Sequence, residues 1–412
     1  MEILYVSKLC SKKKFEEIFV TCHVKPQQQA QKFHHLFASG LAAQEGVQVT
    51  ALSGLPISRV HNERTWWAGV SEVEDKTVFK HLPQINMALI GHIVVFVTAF
   101  LVTAKWCLVN KNKKRYIICD VLNLTISVAA KTAAKLFGVK SIAIVTDIPS
   151  FMREYKREKR CIQSLPIGIY TSLCSSFLRR YDVYIILTEQ MNRFINPNSK
   201  PNIVIEGMVD LEMTGQQNLL ENKYQEKIII YAGSLHEKYG VKKLIEAFIK
   251  VSDHSARLWL LGSGDLEEEM RHFEEIDSRI KFLGVMLNKE VLEIEIKSKL
   301  LVNPRPSSEE FTKYSFPSKN MEYLASGTPL LTTKLPGMPE EYYDYVYLFE
   351  DESVEGMAKT LERILQLSKE ELHAKGAAAK EFVLREKNNV VQAGRIIELI
   401  GKAEKLKHER KH

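Results

Sequence analysis

Ser318, Lys319 and Glu322 stand close together at the head of a short helical stretch, where their side chains can do charge chemistry jointly. In FPSKNMEYLASGTP, Ser318 is a good helix N-cap, Gly327 a C-terminal stop, and Pro329 keeps the helix from running into the apolar LLTT, so about two turns are expected from Lys319 to Ser326. The free backbone N–H groups of Lys319 and Asn320 lie at the positive end of the helix dipole and suit an anionic group such as a diphosphate, to which Lys319 adds a full charge. One turn further, the Glu322 carboxylate can accept paired hydrogen bonds from the vicinal hydroxyls of a ribose. Without a ligand, the same pattern is a capped helix closing a Rossmann-type half.

The elements that must position these groups alternate strand and helix. In the second half, KIIIYAGSL is a strand starting near Lys227, followed by a glycine loop and a helix. LWLLGSGDLEEEM is a strand and turn in which Gly262 and Gly264 permit close approach of a ligand and Asp265 with Glu268 forms a capping box. IKFLG and a helix from Asn288 to Lys299 lead into LLVNPRP. The first half begins with the strand MEILYVS, a helix near Gln31 to Glu45 stopped by Gly46, and the strand VQVTALSG. Such β-α-β units imply parallel, doubly wound sheets with ligands at the carboxyl ends of the strands. The loop carrying His23, Lys25 and Gln28 is placed at such an end, as an acceptor-side site or as a polar surface turn. The expected organisation is a first α/β domain over 1–210, a polar linker over 211–226, a second over 227–385, and a terminal helix over 386–412.

The 412 residues, 45% hydrophobic and 26% charged, are ordinary for a globular protein with large cores. Six cysteines without CxxC or metal-type spacing favour free thiols in a reducing compartment, and the strand-like N-terminus leads to the expectation of a cytosolic protein. The net charge of +7 conceals an asymmetry: residues 1–206 hold 27 Lys plus Arg against 15 Asp plus Glu, and the remainder 30 against 35. A basic first half suits an anionic surface. Two stretches bear on that. Met87 to Leu108 is long enough to cross a membrane, but His92 and Lys105 interrupt it, and a helix packed under a parallel sheet is expected instead, with a helix lying partly in the lipid interface as the alternative. FMREYKREKRCIQSLPIGIY interleaves Arg153, Lys156, Arg157, Lys159 and Arg160 with aromatic and aliphatic residues, which fits an anionic membrane face. A solvated helix face is the plain alternative, and no nucleic-acid motif accompanies the charges.

The run Glu322, Ala325, Gly327, Pro329 resembles the C-terminal signature of the retaining GT-B glycosyltransferases of family 4, and FPSKNMEY resembles the F-P-S-K-x-x-E-Y form common among bacterial capsule and exopolysaccharide transferases. The resemblance implies two Rossmann-like domains facing across a cleft, with a C-terminal helix crossing back to the first. It also implies transfer of a sugar from a nucleotide-diphosphate donor to a hydroxyl of a lipid-linked or growing glycan. Gly233 and Lys238 match the positions by which such relatives hold the donor diphosphate, Ser234 stands where they carry Arg, and Arg305 can restore that charge. Tyr314 occupies the place of the signature's first glutamate, and Thr146 that of a histidine preceding Asp147, which is left to orient acceptor or donor hydroxyls. With Lys238, Lys319 and Asp147 as the catalytic groups, a metal is not required, and no cofactor is expected besides the donor itself. A nucleotide-sugar epimerase of the same architecture and a non-catalytic partner subunit are the alternatives.

Overall fold

The computed structural model describes residues 1–148, apart from 24, 27 and 59–61, and residues 176–409. The chain divides into two compact units, one of residues 1–206 with 389–412 and one of residues 207–388.

In the first unit the order is β1 (Glu2–Ser7), α1 (Lys12–Thr21), α2 (Gln28–Ala42), β2 (Gln48–Ser53), β3 (Trp66–Trp67), β4 (Val70–Glu74), β5 (Thr77–His81), β6 (Gln84–Ile85), α3 (Ala88–Val109), β7 (Arg115–Asp120), α4 (Leu124–Leu136), β8 (Lys140–Val145), β9 (Val183–Ile186), α5 (Glu189–Ile195) and β10 (Asn202–Val204). Its main sheet runs β10-β9-β8-β7-β1-β2-β5-β4, parallel throughout except for β4, which pairs antiparallel with β5. All six residues of β1 are buried, as a central strand with helices over both faces requires. Strand order reverses at β1: β2 lies on one side and β7, next in the main sheet after β5, on the other.

One sequence reading needs an added element and another fails. Between β1 and the loop of His23, Lys25 and Gln28 the chain inserts α1, and α2 then begins back at the exit of β1, where Gln31 accepts from the Cys10 amide (2.9 Å) and donates to the Lys8 carbonyl (2.7 Å). Ser11 caps α1 by accepting from the Lys14 amide, and Ile18 is buried on its inner face. The apolar run 87–108 forms α3, and it does not lie under the sheet. That place is taken by α4, whose Ala129, Ala130, Ala133 and Ala134 are fully buried and let it seat directly on β1, β7 and β8. α3 packs outside α4 instead, and by length and composition it is apolar enough to cross a membrane.

The second unit comprises β11 (Lys227–Ala232), α6 (Val241–Ile249), β12 (Ala256–Leu261), α7 (Glu267–Ile276), β13 (Ile280–Gly284), α8 (Asn288–Lys297), β14 (Leu300–Asn303), α9 (Ser318–Ser326), β15 (Leu330–Thr333), β16 (Tyr347–Phe349), α10 (Val354–Leu365) and α11 (Lys369–Glu386). Its sheet is β13-β12-β11-β14-β15-β16, all parallel, and its order reverses between β11 and β14. Side chains alternate between two cores: Ile229, Leu258 and Leu300 face one helical layer, Ile228, Ile230 and Leu301 the other. The run 211–226, expected as a linker, belongs to this unit. Asn218 Nδ2 donates to the Ser326 carbonyl (2.9 Å), and Lys223 Nζ donates to the carbonyls of Ile296 (2.7 Å) and Ser298 (3.0 Å), closing the end of α8. These two side chains tie the run to the unit, while most of its other polar residues are exposed.

The last helix, α12 (Asn389–Glu409), returns to the first unit. Gly40 of α2 lies so close to it that a Cβ there would stand 2.2 Å from the Asn389 carbonyl oxygen. Gln44 Nε2 donates to the Val390 carbonyl (2.8 Å), and the Tyr116 hydroxyl donates to Glu404.

Candidate functional site

In an open parallel sheet, ligands bind at the carboxyl ends of the two strands between which the order reverses. In the second unit those strands are β11 and β14, and the residues that follow them converge. After β11 the chain turns through Gly233 and Ser234 into a single 3-10 turn, Glu237–Tyr239, and Gly240 at φ 78° then opens α6. A side chain at Gly240 would strike the Pro304 carbonyl oxygen at 2.2 Å, so the two strand exits touch through it. Arg305 follows Pro304, with its carbonyl held by the Thr333 hydroxyl and its Nη1 donating to Ser315 Oγ (3.2 Å).

One aromatic ring carries two cations. Lys238 Nζ lies 4.8 Å from the centroid of Tyr239, and the guanidinium carbon of Arg305 lies 5.0 Å from the same centroid and 5.1 Å from that of Phe311. Burial pushes the Lys238 pKa down and the Arg305 charge pushes it further, with Asp265 opposing; burial lowers that of Arg305 as well. Two positive charges held side by side and partly stripped of water are an arrangement able to hold an anion.

The third contribution comes from α9. Its first helical residue is Ser318 and its N-cap is Pro317, which has no side-chain acceptor, so Ser318 does not cap the helix as the sequence suggests. Gly327, at φ 77°, ends it as expected. Lys319 and Glu322, read separately as diphosphate and ribose ligands, form an ion pair with each other at 2.9 Å. Burial works against the Lys319 charge, but Glu322 and the buried Glu295 together more than offset it and leave its pKa raised. Between them on the helix, Asn320 is buried. Its Oδ1 accepts from Asn303 Nδ2 (2.6 Å), and its Nδ2 has no partner among the described residues.

Tyr323 was not picked out by sequence reasoning. Its buried hydroxyl accepts from the Ala232 amide (2.7 Å) and donates to the Ala232 carbonyl (3.1 Å), fixing α9 to the last residue of β11 beside Gly233. The glycine pair after β12 also has a part in packing. A Cβ at Gly262 would meet the Gly233 carbonyl oxygen at 1.8 Å and one at Gly264 the Leu235 carbonyl oxygen at 2.1 Å, so these glycines admit a neighbouring loop. The capping box at Asp265 and Glu268 does not form: α7 starts at Glu267, and Asp265 pairs with His236 (3.1 Å). Tyr314, where the signature has a glutamate, donates its hydroxyl to Glu310 Oε1 (3.2 Å).

In the first unit Asp147 follows Thr146 just beyond β8, at a strand exit. Its Oδ1 accepts from the Ile148 amide (2.8 Å), and burial raises its pKa. His23 is exposed and lies 3.5 Å from Glu63, Lys25 donates to the carbonyls of Phe19 (2.7 Å) and Cys22 (3.0 Å) at the end of α1, and Gln28 is an exposed first residue of α2. These three are not brought together with Asp147 by any contact among the described residues. The reversal point of this sheet holds a different set: Tyr5 OH bonds His34 Nδ1 (2.7 Å) and His34 Nε2 lies 3.1 Å from Asp120 Oδ2 at the end of β7. Burial, with the Asp120 charge adding to it, raises the Tyr5 pKa well above its ordinary value. Arg153, Lys156, Arg157, Lys159 and Arg160 lie outside the described residues.

Residues 226–367 match the family described as Glycosyl transferases group 1, and this span contains every residue expected on the donor side, from Gly233 to Glu322. The enzyme class of the chain is glycosyl transfer. No curated protein matches the chain. Among solved structures it is similar to sucrose-phosphate synthase from Thermosynechococcus elongatus at 14% identity and TM-score 0.66, covering 98% of this chain and 100% of that one. Anabaena HepE in complex with UDP-glucose aligns at 13% identity and TM-score 0.59, covering 98% and 100%. The lipopolysaccharide outer core galactosyltransferase WaaB aligns at 12% and 0.58, covering 98% and 99%. At such identities the likeness establishes the fold, a GT-B arrangement of two Rossmann-like domains spanning the whole chain.

Proposed function

We propose that this glycosyltransferase takes a sugar from a nucleotide-diphosphate donor bound by the second unit and delivers it to a hydroxyl of a lipid-linked or growing glycan, in surface polysaccharide synthesis at the inner face of the cell membrane. The observation that carries the donor half is the pair of cations on Tyr239 at the reversal point of the sheet. When the sugar leaves, negative charge accumulates on the diphosphate. Lys238, Arg305 and Lys319 with the first turn of α9 then stabilise the transition state more than the ground state, which is what raises turnover. This accounts for transfer with no metal-borne step. Ribose binding by Glu322 requires the carboxylate to be shared with, or released from, Lys319, and a diphosphate arriving at Lys319 supplies the replacement anion. In the first unit Asp147, whose raised pKa makes it a better base than an ordinary aspartate, is the group we assign to the acceptor hydroxyl. Retention of anomeric configuration is part of the reading and rests on the signature resemblance alone.

The test starts with the donor. A thermal-shift panel of UDP-, GDP-, ADP- and CDP-sugars identifies the base, since a ligand that binds only the folded state raises its stability. With that nucleotide, Glu322→Gln should weaken binding by roughly 1–3 kcal/mol, the range for a charge-assisted hydrogen bond. Unchanged affinity in a folded variant removes Glu322 from the ribose.

A further inference from the structure

α3 has two faces of different character. One face, Gly91, Val95, Ala99, Thr103, Trp106 and Cys107, is buried; α3 packs on α4, and at Gly91 it meets the Ile85 carbonyl of β6. The other is apolar and open to solvent, running through Leu89 (75% exposed), Ile93 (55%), Phe96, Val97, Leu101 (59%) and Leu108. Spaced at three, four and seven residues, these form one stripe, about 30 Å long at 1.5 Å per residue. Single exposed apolar residues are ordinary, but a continuous stripe of this size marks a surface that meets something.

Charge identifies the partner. From Lys76 to Cys119 the chain has no aspartate or glutamate, while it carries Lys76, Lys80, Lys105, Lys111, Lys113, Lys114 and Arg115. The open face is interrupted by Lys105 and, at its edge, by His92, whose Nδ1 lies 2.9 Å from Thr125 Oγ1 of α4; the helix runs out into KNKKR, where Lys111 is exposed, Lys113 pairs with Glu2 (2.7 Å) and the exposed Lys114 lies 3.4 Å from Glu404. Across residues 1–206 and 389–412 there are 33 Lys plus Arg against 18 Asp plus Glu. Protein interfaces of this size are depleted in lysine at their centres. An apolar interior bordered by negative charge is instead what an anionic bilayer offers, and lysine stems can lie along the acyl boundary with their ammonium groups at the phosphates. A spanning helix would have to leave α4 and expose the small face that packs there, so the helix lies along the membrane surface.

We propose that α3 is the membrane-docking element of the first unit, its Leu89–Leu108 stripe seated among the acyl chains of an anionic bilayer and its Lys111–Arg115 turn at the headgroups. This deepens the membrane-surface reading above by naming the element, and it stands without the glycosyl-transfer reading. The experiment is flotation of the full chain with vesicles of phosphatidylcholine alone and of phosphatidylcholine with phosphatidylglycerol, at low and high salt. Three proteins are compared: the wild type, a variant with Ile93, Val97 and Leu101 changed to Ser, and one with Arg153, Lys156, Arg157 and Lys159 changed to Gln. The wild type should float with the anionic vesicles, and the serine variant should lose binding by at least about tenfold, given the apolar area withdrawn from lipid. Its thermal shift with nucleotide should be unchanged, which separates loss of docking from loss of fold or of donor binding. Equal flotation of wild type and serine variant overturns the assignment. So does loss of binding in the glutamine variant alone, or a wild type that ignores both vesicles and forms a dimer that the serine variant does not.

Discussion

Lys238→Met removes one of the two cations that share Tyr239, and the structure lets the consequence be worked out for the empty and the occupied site separately. The distances to the ring centroid, 4.8 Å for Lys238 and 5.0 Å for Arg305, put the charges at most about 10 Å apart. At an effective dielectric of about 20 the repulsion at that separation is about 1.7 kcal/mol, and solvent around the half-exposed lysine reduces it to roughly 0.5–1. Losing the cation–π contact with Tyr239 works the other way by about 0.5–1 kcal/mol. The two nearly cancel, so the empty protein should melt within a degree or two of the wild type, at roughly 2–4 °C per kcal/mol for a unit of this size. The occupied site is different. A charge-assisted hydrogen bond to the diphosphate is worth about 1.5–3 kcal/mol, so the nucleoside diphosphate should bind about 10- to 150-fold more weakly by calorimetry. Lys242→Met, one turn on and paired with Glu269 at 3.0 Å, is the matched control and should leave affinity alone. If the two variants lose the same affinity, or Lys238→Met loses none, the cation pair is not a diphosphate site and the argument from the reversal point fails.

Tyr323→Phe deletes the hydroxyl that bonds both backbone groups of Ala232 and should lower stability by about 1–3 kcal/mol in urea titration, the range for stranding buried polar groups; an unchanged midpoint would show that α9 is held by its apolar contacts alone. Burial pushes Lys223 down to about 7, well below the value near 10.4 of the unfolded chain. Between about pH 7 and 10 the unfolded state therefore binds the extra proton and stability contributed through this residue rises with pH, a slope that Lys223→Met should abolish when the two proteins are compared by urea unfolding at the two ends of that window.

The donor side was legible where the signals are local. Gly327 followed by Pro329 ends α9 at the expected residue, because a left-handed stop and a residue that cannot continue a helix act within one turn. Its start lies one position earlier than residue type suggests, since Ser318 is as good a cap by type as any and only the extended conformation of Pro317 decides the matter. Lys319 and Glu322 were legible as chemistry but not as a pair, although three residues apart on a helix is also the spacing of an ion pair. What stayed hidden is non-local: Gly262 and Gly264 are small because loop 233–235 passes against them, and Tyr323 matters because of a strand end 91 residues earlier in the chain.

α3 shows why the first unit resisted reading. Periodicity tells which face of a helix is buried only when the other face is polar, and a helix apolar all round erases that contrast. Whether such a helix lies under a sheet is settled by competition for the sheet face, and here the competitor is α4, whose buried alanines bring its backbone against β1, β7 and β8 more closely than the Leu, Ile and Phe side chains of α3 allow. That information was in the sequence as the run AAKTAAK, but it bears on α3 only once both helices are known to seek the same surface. The same holds for His34 and Asp120, 86 residues apart: α2 carries His34 onto Tyr5 of β1, and β7, which ends in Asp120, is the neighbour of β1. A helix displaced from the sheet by a better-fitting neighbour keeps its apolar side chains, and they must then be covered by something other than the protein's own core; the absence of any carboxylate from Lys76 to Cys119 makes an anionic lipid surface the covering that the charge favours.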